Sequence, residues 1–557
     1  MTVLAPVVIA NWDSFNVPTG TTVNIAPDTG LTSASLINRV NGPASNISGT
    51  INAPNINLWL LNQNGIIFGG DASISSASFL ATTLGATDSD LFDFFEGTDL
   101  AGNGSQTVRF SGLAANTSPI SGGGMNASFV SDGSLAFIGP RLDLNATFDA
   151  GGSVSFVAAA DVSVQFTPNS PLSYTVNAGT IVAEQIIDGS ITGRSVDFRM
   201  LTALGVMDAM LRVDATINAT TAVATDSGVR LIAEQIGMAE TVTVEMTGGI
   251  TSTGLIELRN DGDLSSTQAM TGSGVFVRGE DLVLNDVTAT AGGVRLEARQ
   301  SLLASDVGAT GEISFEARFT ASATFDSLVS SGGRITNFGL IPNSTTVTGL
   351  TQGTEVDLKA NNLSLGDVTA TTGSVSLDSF NSPLTVGNID AATAVELFGL
   401  SVMAGDVIAR SGLLNIDIIG EITTGSLTSL NGAIAVESFF SGDVEVGALD
   451  ASGTIRLDAT GSLTAAAITA GGALTVGSVE TPTNVTFTGN VSAASITAET
   501  SGAIGAQGLT ATAGDIDLDA ASINAGAVAA TGGDVVLLTT GNITTASITS
   551  TTAAMAG

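Results

Sequence analysis

A phrase with a period of roughly 20 residues, the length class of stacked repeats, runs through the second half of the chain and constrains the fold more than any other feature. It reads Gly-x-apolar-x-apolar, a short polar gap, then apolar-x-x-Gly-x-apolar. Examples are GTEVDLKANNLSLGDVTAT, GSVSLDSFNSPLTVGNIDAA and GDIDLDAASINAGAVAATG. Anchored on the first apolar position, the phrase places Val356, Val375, Val395, Leu414, Ile434 and Ile455 at successive steps of 19, 20, 19, 20 and 21 along the chain. Ile516 and Val535 are 19 apart, as are Val294 and Ile313. Within each unit the apolar residues alternate with period two (Val356 with Leu358, Val375 with Leu377, Ile516 with Leu518), which is the period of a strand. A unit of this length, with two or three short strands joined at Gly and Asn, matches one coil of a parallel β-solenoid. Leucine-rich repeats need a Leu-x-x-Leu-x-Leu pattern and calcium-binding nonapeptides need Gly-Gly-x-Gly-x-Asp; neither recurs. A single coil buries too few side chains to offset its own ordering entropy. Stacked coils share one apolar column and hydrogen-bond to one another, so the repeat is stable only as an array.

Composition agrees and excludes several chemistries. Gly contributes 67 residues, Cys and His none, and the formal net charge is -36. Without His or Cys there is no His-based triad, no Cys nucleophile and no ordinary zinc site. Lys359 is the only lysine and Ala360 follows it, so a phosphate-binding Gly-Lys-Ser/Thr loop is absent. The acidic balance, with no basic run, argues against nucleic acid as a partner. No stretch approaches about 20 consecutive apolar residues, so stable membrane insertion is not expected. Met1 to Ala10 has neither Lys nor Arg before it nor a small-residue cleavage site after it. A signal peptide is therefore not expected within the chain, and the native start is expected upstream.

Residues 1–167 depart from the plain repeat and resemble the haemagglutination-activity, or two-partner secretion, domain of filamentous haemagglutinin-like exoproteins. The resemblance opens at NWDSFNVPTGTTVNI (Asn11–Ile25), with Trp12 and Phe15. It continues at LINRVNG (Leu36–Gly42), with Asn38 and Arg39, and at SNISGTINAPN (Ser45–Asn55). Its centre is LWLLNQNGIIFGGDASIS (Leu58–Ser75), followed by FLATT (Phe79–Thr83). It closes with GSLAFIGPRLDLNATFDAGGSVSFVAAADVSVQF (Gly133–Phe166). It implies an all-β fold: a single-stranded right-handed parallel β-helix, or solenoid, with an N-terminal cap and extra-helical hairpins. The expected organisation is a secretion domain over 1–167, an irregular β-helix continuation over 168–290, and β-helix repeats with a period of about 20 residues over 291–557.

The resemblance also names candidate residues. Asn38, Arg39, Asn62, Gln63, Asn64, Gly65, Phe68 and Gly69 form the secretion motif, as contacts for a transporter or as a structural turn. The family usually has Asn-Pro-Asn-Gly at the central turn; here Gln63 stands where Pro would, which keeps a type I turn but removes the φ restraint that Pro supplies. Trp12, Phe15 and Trp59 are expected to plug the open end of the column. The run DSDLFDFFEGTD (Asp88–Asp99) sets Asp88, Asp90, Asp93 and Glu96 close together, the donor type that calcium takes. It lacks EF-hand spacing, and an extra-helical loop docking Phe92, Phe94 and Phe95 on the barrel is the preferred expectation. Asp357, Asp378, Asp458 and Asp519 recur in the repeats and read as a solvated acidic face. The 15 arginines look scattered, without a cluster.

The implied function is a secreted or surface-exposed adhesin, exported through the periplasm to the cell surface or medium. The implied partner is an outer-membrane barrel transporter with periplasmic recognition domains; host or environmental receptors or glycans are further partners. No catalytic residue, metal or cofactor is expected. The alternatives are a polysaccharide-active β-helix enzyme, which needs carboxylates converging on one groove, and a structural or matrix-binding solenoid, suggested by Thr-rich strands such as NITTASITSTT. A toxin of the same secretion class is expected to carry a distinct C-terminal domain.

Overall fold

The computed structural model describes residues 1–96, 106–112, 117–166, 173–182, 184–203, 209–219, 228–235, 242–318, 321–440 and 442–551. The chain divides into two units, Met1–Arg299 and Gln300–Gly557. Each is a parallel β-solenoid.

In the second unit three short strands make one coil. Val356–Ala360, Leu363–Leu365 and Val368–Ala370 form one, and Val375–Ser379, Leu384–Val386 and Ile389–Ala391 the next. Each strand pairs in parallel with its counterpart one coil on. The anchors of the repeat form one column: Val356, Val375, Val395, Leu414, Ile434 and Ile455 are successive Cα partners. The column runs on through Leu474, Ile496, Ile516 and Val535. All of these except Val535 are buried. The in-register stack explains the alternation: a one-residue slip within a strand would reverse its apolar residues to the solvent face, whereas the turns absorb the differences among steps of 19 to 22 residues along the column.

The polar gap of the repeat is also structural. Gly387, Gly405, Gly425 and Gly447 stack, and each amide donates to the carbonyl of the preceding glycine, Gly366 for the first, at 3.0–3.1 Å. Beside them, Asp367 Oδ1 accepts from the Asn388 amide, Asn388 Oδ1 from the Asp406 amide, and Asp406 Oδ1 from the Ser426 amide, at 2.7–2.9 Å. A Cβ on Gly405 would lie 2.5 Å from Asn388 Oδ1. Close approach of the turn below, rather than an unusual φ, therefore requires glycine there.

The first unit stacks longer strands around larger side chains. Leu60, Ala81, Phe137, Phe156 and Phe198 are successive partners, followed by Leu231, Leu258, Val277 and Leu296. Phe137 and Phe156 stack at 5.4 Å with planes 11° apart, and Phe156 and Phe198 at 5.4 Å and 14°. Coil stacking sets neighbouring rings at about the strand separation, which favours offset stacking.

Outside this solenoid lies a second, antiparallel layer. Strands Gln106–Ser111 and Ser173–Ala178 flank Asp161–Phe166 on its two edges. The chain leaves and rejoins the solenoid at a two-way bridge between Gly85 and Ser111. Between them lies the only helix among the described residues, Asp88–Glu96. The strands beneath this layer are buried on both faces: Leu135–Gly139 and Ser153–Ala158 are buried at every position, unlike the alternating strands of the repeats. Two-sided burial is why LAFIG and FVAAA read as apolar runs without the alternation of the repeats.

Candidate functional site

The candidate residues fall on both sides of one sheet wall. In Ala34–Val40, the residues Leu36, Asn38 and Val40 point into the column, while Ile37 and Arg39 point out. Trp12 pairs in register with Val40 at the first coil, so it shares the inward parity and covers the column. Its indole Nε1 donates to Asn38 Oδ1 at 3.0 Å, and Asn38 Nδ2 donates to the Trp59 carbonyl at 3.3 Å. The buried amide is thus satisfied at both atoms, which removes the penalty of a polar group inside an apolar column. Phe15 packs on Trp12 with centroids 5.6 Å apart, and both rings are half-buried.

Trp59 lies elsewhere than expected. It does not plug the column: it has the opposite parity from Leu58 and Leu60 and points outward into the extra-helical layer. There it joins Ile37, Leu61, Leu80, Phe94, Phe110 and Val164 in a second hydrophobic core. Its ring centroid is 5.5 Å from Phe94 and 6.0 Å from Phe110. Phe94 docks on the wall, while the side chains of Phe92, Asp93, Phe95 and Glu96 lie outside the described residues. A reciprocal cap starts the helix: Asp90 Oδ2 accepts from the Thr87 amide at 3.0 Å, and the Asp90 amide donates to Thr87 Oγ1 at 3.1 Å. Arg39 Nη1 meets Asp88 Oδ1 at 2.6 Å, and Arg39 Nε donates to Asn11 Oδ1 at 2.8 Å. The guanidinium therefore ties the first coil, the second coil and the helix N-terminus together. No group of three acids is placed to hold a metal ion among the described residues.

The central turn sits one coil beyond. The Gly65 amide donates to the Asn62 carbonyl at 3.1 Å, closing a turn over Gln63 and Asn64 without the proline. Gly65 has φ +115°, which only glycine adopts without strain. Asn62 is buried: its Oδ1 accepts from the Asn64 amide at 3.0 Å and its Nδ2 donates to the Pro43 carbonyl at 2.9 Å. Asn64 Nδ2 donates to the Gly42 carbonyl at 2.7 Å. Both amides thus clamp the turn to the loop below. The Gln63 side chain lies against Gly85, where the chain leaves the solenoid, and a Cβ on Gly85 would strike its Nε2. Phe68 points inward, 4.8 Å from Phe129, and the Gly69 amide donates to the Ile47 carbonyl at 2.8 Å. The structure so gathers Arg39, the Asn62–Gly65 turn, Gly85 and Asp88 at one end of the wall, with Gln63 and Asn64 exposed.

A bidentate contact fastens the outer layer. Arg109 engages Asp161 through Nε and Nη2, and Asn177 Nδ2 donates to Asp161 Oδ1 at 2.9 Å. The Arg109 hydrogen bonds hold the Asp161 carboxyl below the usual range. Burial pushes the Tyr174 phenol up.

Two expectations about charge are corrected. Asp458 is not solvated: it is fully buried and accepts from Arg456 Nη1 at 2.9 Å and the Val479 amide at 3.0 Å. The arginines are not scattered in space either. Arg199, Arg230, Arg259, Arg278 and Arg295 come onto one outer face of the first unit, one from each of five successive strands. Their spacings along the chain, 31, 29, 19 and 17, conceal this, because the intervening loops differ in length.

Residues 5–228 match the family model described as the TPS secretion domain. No curated protein matches the chain. Among solved structures, the HMW1 secretion domain from Haemophilus influenzae is 14% identical, over 79% of this chain and 90% of that chain, at a TM-score of 0.29.

Proposed function

We propose that this chain, an exoprotein with a two-partner secretion domain within residues 5–228, works as an adhesin displayed on or released from the cell surface. Its secretion domain is what an outer-membrane transporter recognises, and its route runs through the periplasm. The secretion-domain match is the observation that carries this reading. We place the functional core of that domain in residues 1–167, and the transporter contact at the exposed turn residues Gln63 and Asn64 with Arg39 nearby.

The physics of the chain suits threading. With no cysteine, no disulfide can lock a loop before passage. Each coil contacts chiefly its neighbours, so a coil that emerges folds on the one before it. The Trp12–Asn38 closure of the first coil and the outer layer around Trp59 supply a starting surface. Stacking itself then drives the array forward without nucleotide hydrolysis by this chain.

The test is export from a host that supplies a cognate transporter. Deletion of residues 1–167 is expected to leave the chain in the periplasm. The double substitution Gln63→Ala, Asn64→Ala is expected to reduce export while the purified protein keeps its strand signal. Export of the deleted chain at the full rate overturns the role of the segment. Full export of the double variant assigns the turn to structure alone.

A further inference from the structure

We propose that the outer face of the sheet formed by Ser195–Thr202, Gly228–Gln235, Leu255–Asn260, Gly274–Gly279 and Val294–Ala298 is a docking strip for a linear polysaccharide of carboxylate-bearing sugars. The proposal deepens the adhesin reading and rests on it for biological meaning, but its geometry stands apart from secretion.

The inward residues of these strands, such as Phe198, Leu231, Leu258, Val277 and Leu296, fill the column. The outward residues form two registered files. One runs Asp197, Arg230, Glu257, Phe276, Arg295; the other runs Arg199, Ile232, Arg259, Arg278, Glu297. Coils stack about 4.8 Å apart, so five guanidinium groups lie within about 19 Å along the face. In a chain of net charge -36, the described side chains of these two files set five arginines against three carboxylates.

Those carboxylates leave the strip with cationic capacity. Glu257 serves two arginines, Arg230 at 3.0 Å and Arg259 at 2.7 Å, and Arg295 pairs with Glu297 at 2.5 Å. Arg230, Arg259 and Arg295 remain about half exposed. Arg278 stands between these pairs, with no described carboxylate within ion-pair distance. Arg259 also lies over the Phe276 ring, 5.0 Å from its centroid.

The mixture selects the ligand chemistry. A planar guanidinium matches a carboxylate with two parallel hydrogen bonds. Glu257 and Glu297, interleaved with the arginines, are acceptors for a sugar's hydroxyl groups and repel the denser charge of a phosphodiester chain. Phe276, under the Arg259 guanidinium, positions that group for the contact. The coil spacing is comparable with the length of one hexose unit, so a linear chain laid along the solenoid meets a fresh arginine at each step.

The experiment uses the purified full chain, so export plays no part in it. Affinity electrophoresis and calorimetry with polygalacturonate oligomers are expected to show binding that weakens as salt is raised. Arg278→Ala is expected to weaken it about fivefold and Arg259→Ala with Arg278→Ala at least tenfold, while far-ultraviolet circular dichroism and Tm stay at wild-type values. A neutral glucan of equal length is expected not to bind. Wild-type affinity in the folded double variant, or no binding of the uronate while a glucan or single-stranded DNA binds, overturns the proposal. Neither result bears on secretion, which the export assay reads separately.

Discussion

Trp59 and Phe94 meet ring to ring, 5.5 Å between centroids, on the outside of the solenoid wall. The contact joins a strand of the wall to the helix that leaves it. Phe94→Ala removes one of the helix's two described apolar anchors, the other being Leu91, and should cost about 3 kcal/mol of local stability. The solenoid beneath has its own column, so the loss should stay local. Trp59 emission is expected to shift to the red in a Trp12→Phe background, with strand circular dichroism retained. An unchanged emission maximum would show that the layer does not depend on this contact.

The Arg109–Asp161 pair predicts how the outer layer responds to acid. The folded carboxyl is held below its ordinary value of about 3.9. Its stabilisation is therefore complete above that value and is lost as pH falls through the lowered one. Proteolysis within the outer layer is expected to accelerate below about pH 4 in the wild type. Asp161→Asn should be susceptible already at pH 7, with little further change on acidification.

Asp197 behaves in the opposite sense. Burial raises its carboxyl to about 6, against the pull of Arg230 and Arg199. The folded state binds this proton more tightly than the unfolded chain, so stability falls as pH rises from about 4 to about 6. Asp197→Asn is expected to stabilise the fold at pH 7.5, by an amount on the order of 2 kcal/mol, and to have little effect at pH 4; thermal melts at the two pH values read the difference. A variant less stable than wild type at pH 7.5 would mean that the arginine contacts outweigh the desolvation.

Gly405→Ala tests the stacked turns of the repeat. The new Cβ would lie 2.5 Å from Asn388 Oδ1 and 3.1 Å from the Gly387 carbonyl carbon. Relief requires breaking the Asn388–Asp406 hydrogen bond or moving a coil, at about 1–3 kcal/mol. Hydrogen exchange is expected to accelerate in the coils on both sides of residue 405. Gly308→Ala, where a Cβ meets nothing within 4 Å, is the matched control.

The repeats were legible because each coil lies chiefly against near-copies of itself. Val356, Val375, Val395, Leu414, Ile434 and Ile455 could be set in one column from spacing and alternation alone. The stretch between Ile455 and Ile516 was harder, since a coil ending in the long strand Asn484–Ala493 interrupts the phrase, yet Leu474 and Ile496 continue the column. In the secretion domain the Asn62–Gly65 turn was readable from its residue types. The outward parity of Trp59 was not: LWLL is apolar on both faces, so the pattern does not say which face is the column.

The amino-acid sequence by itself determined the solenoid, its period and the closed turn at Asn62–Gly65, because alternation, Gly/Asx turns and coil length are local properties of the chain. Only the tertiary structure decided that Trp59 belongs to a second core and that Arg199, Arg230, Arg259, Arg278 and Arg295 share one face. Both depend on strand register across loops of unequal length, and register is settled by packing one coil on the next rather than by distance along the chain.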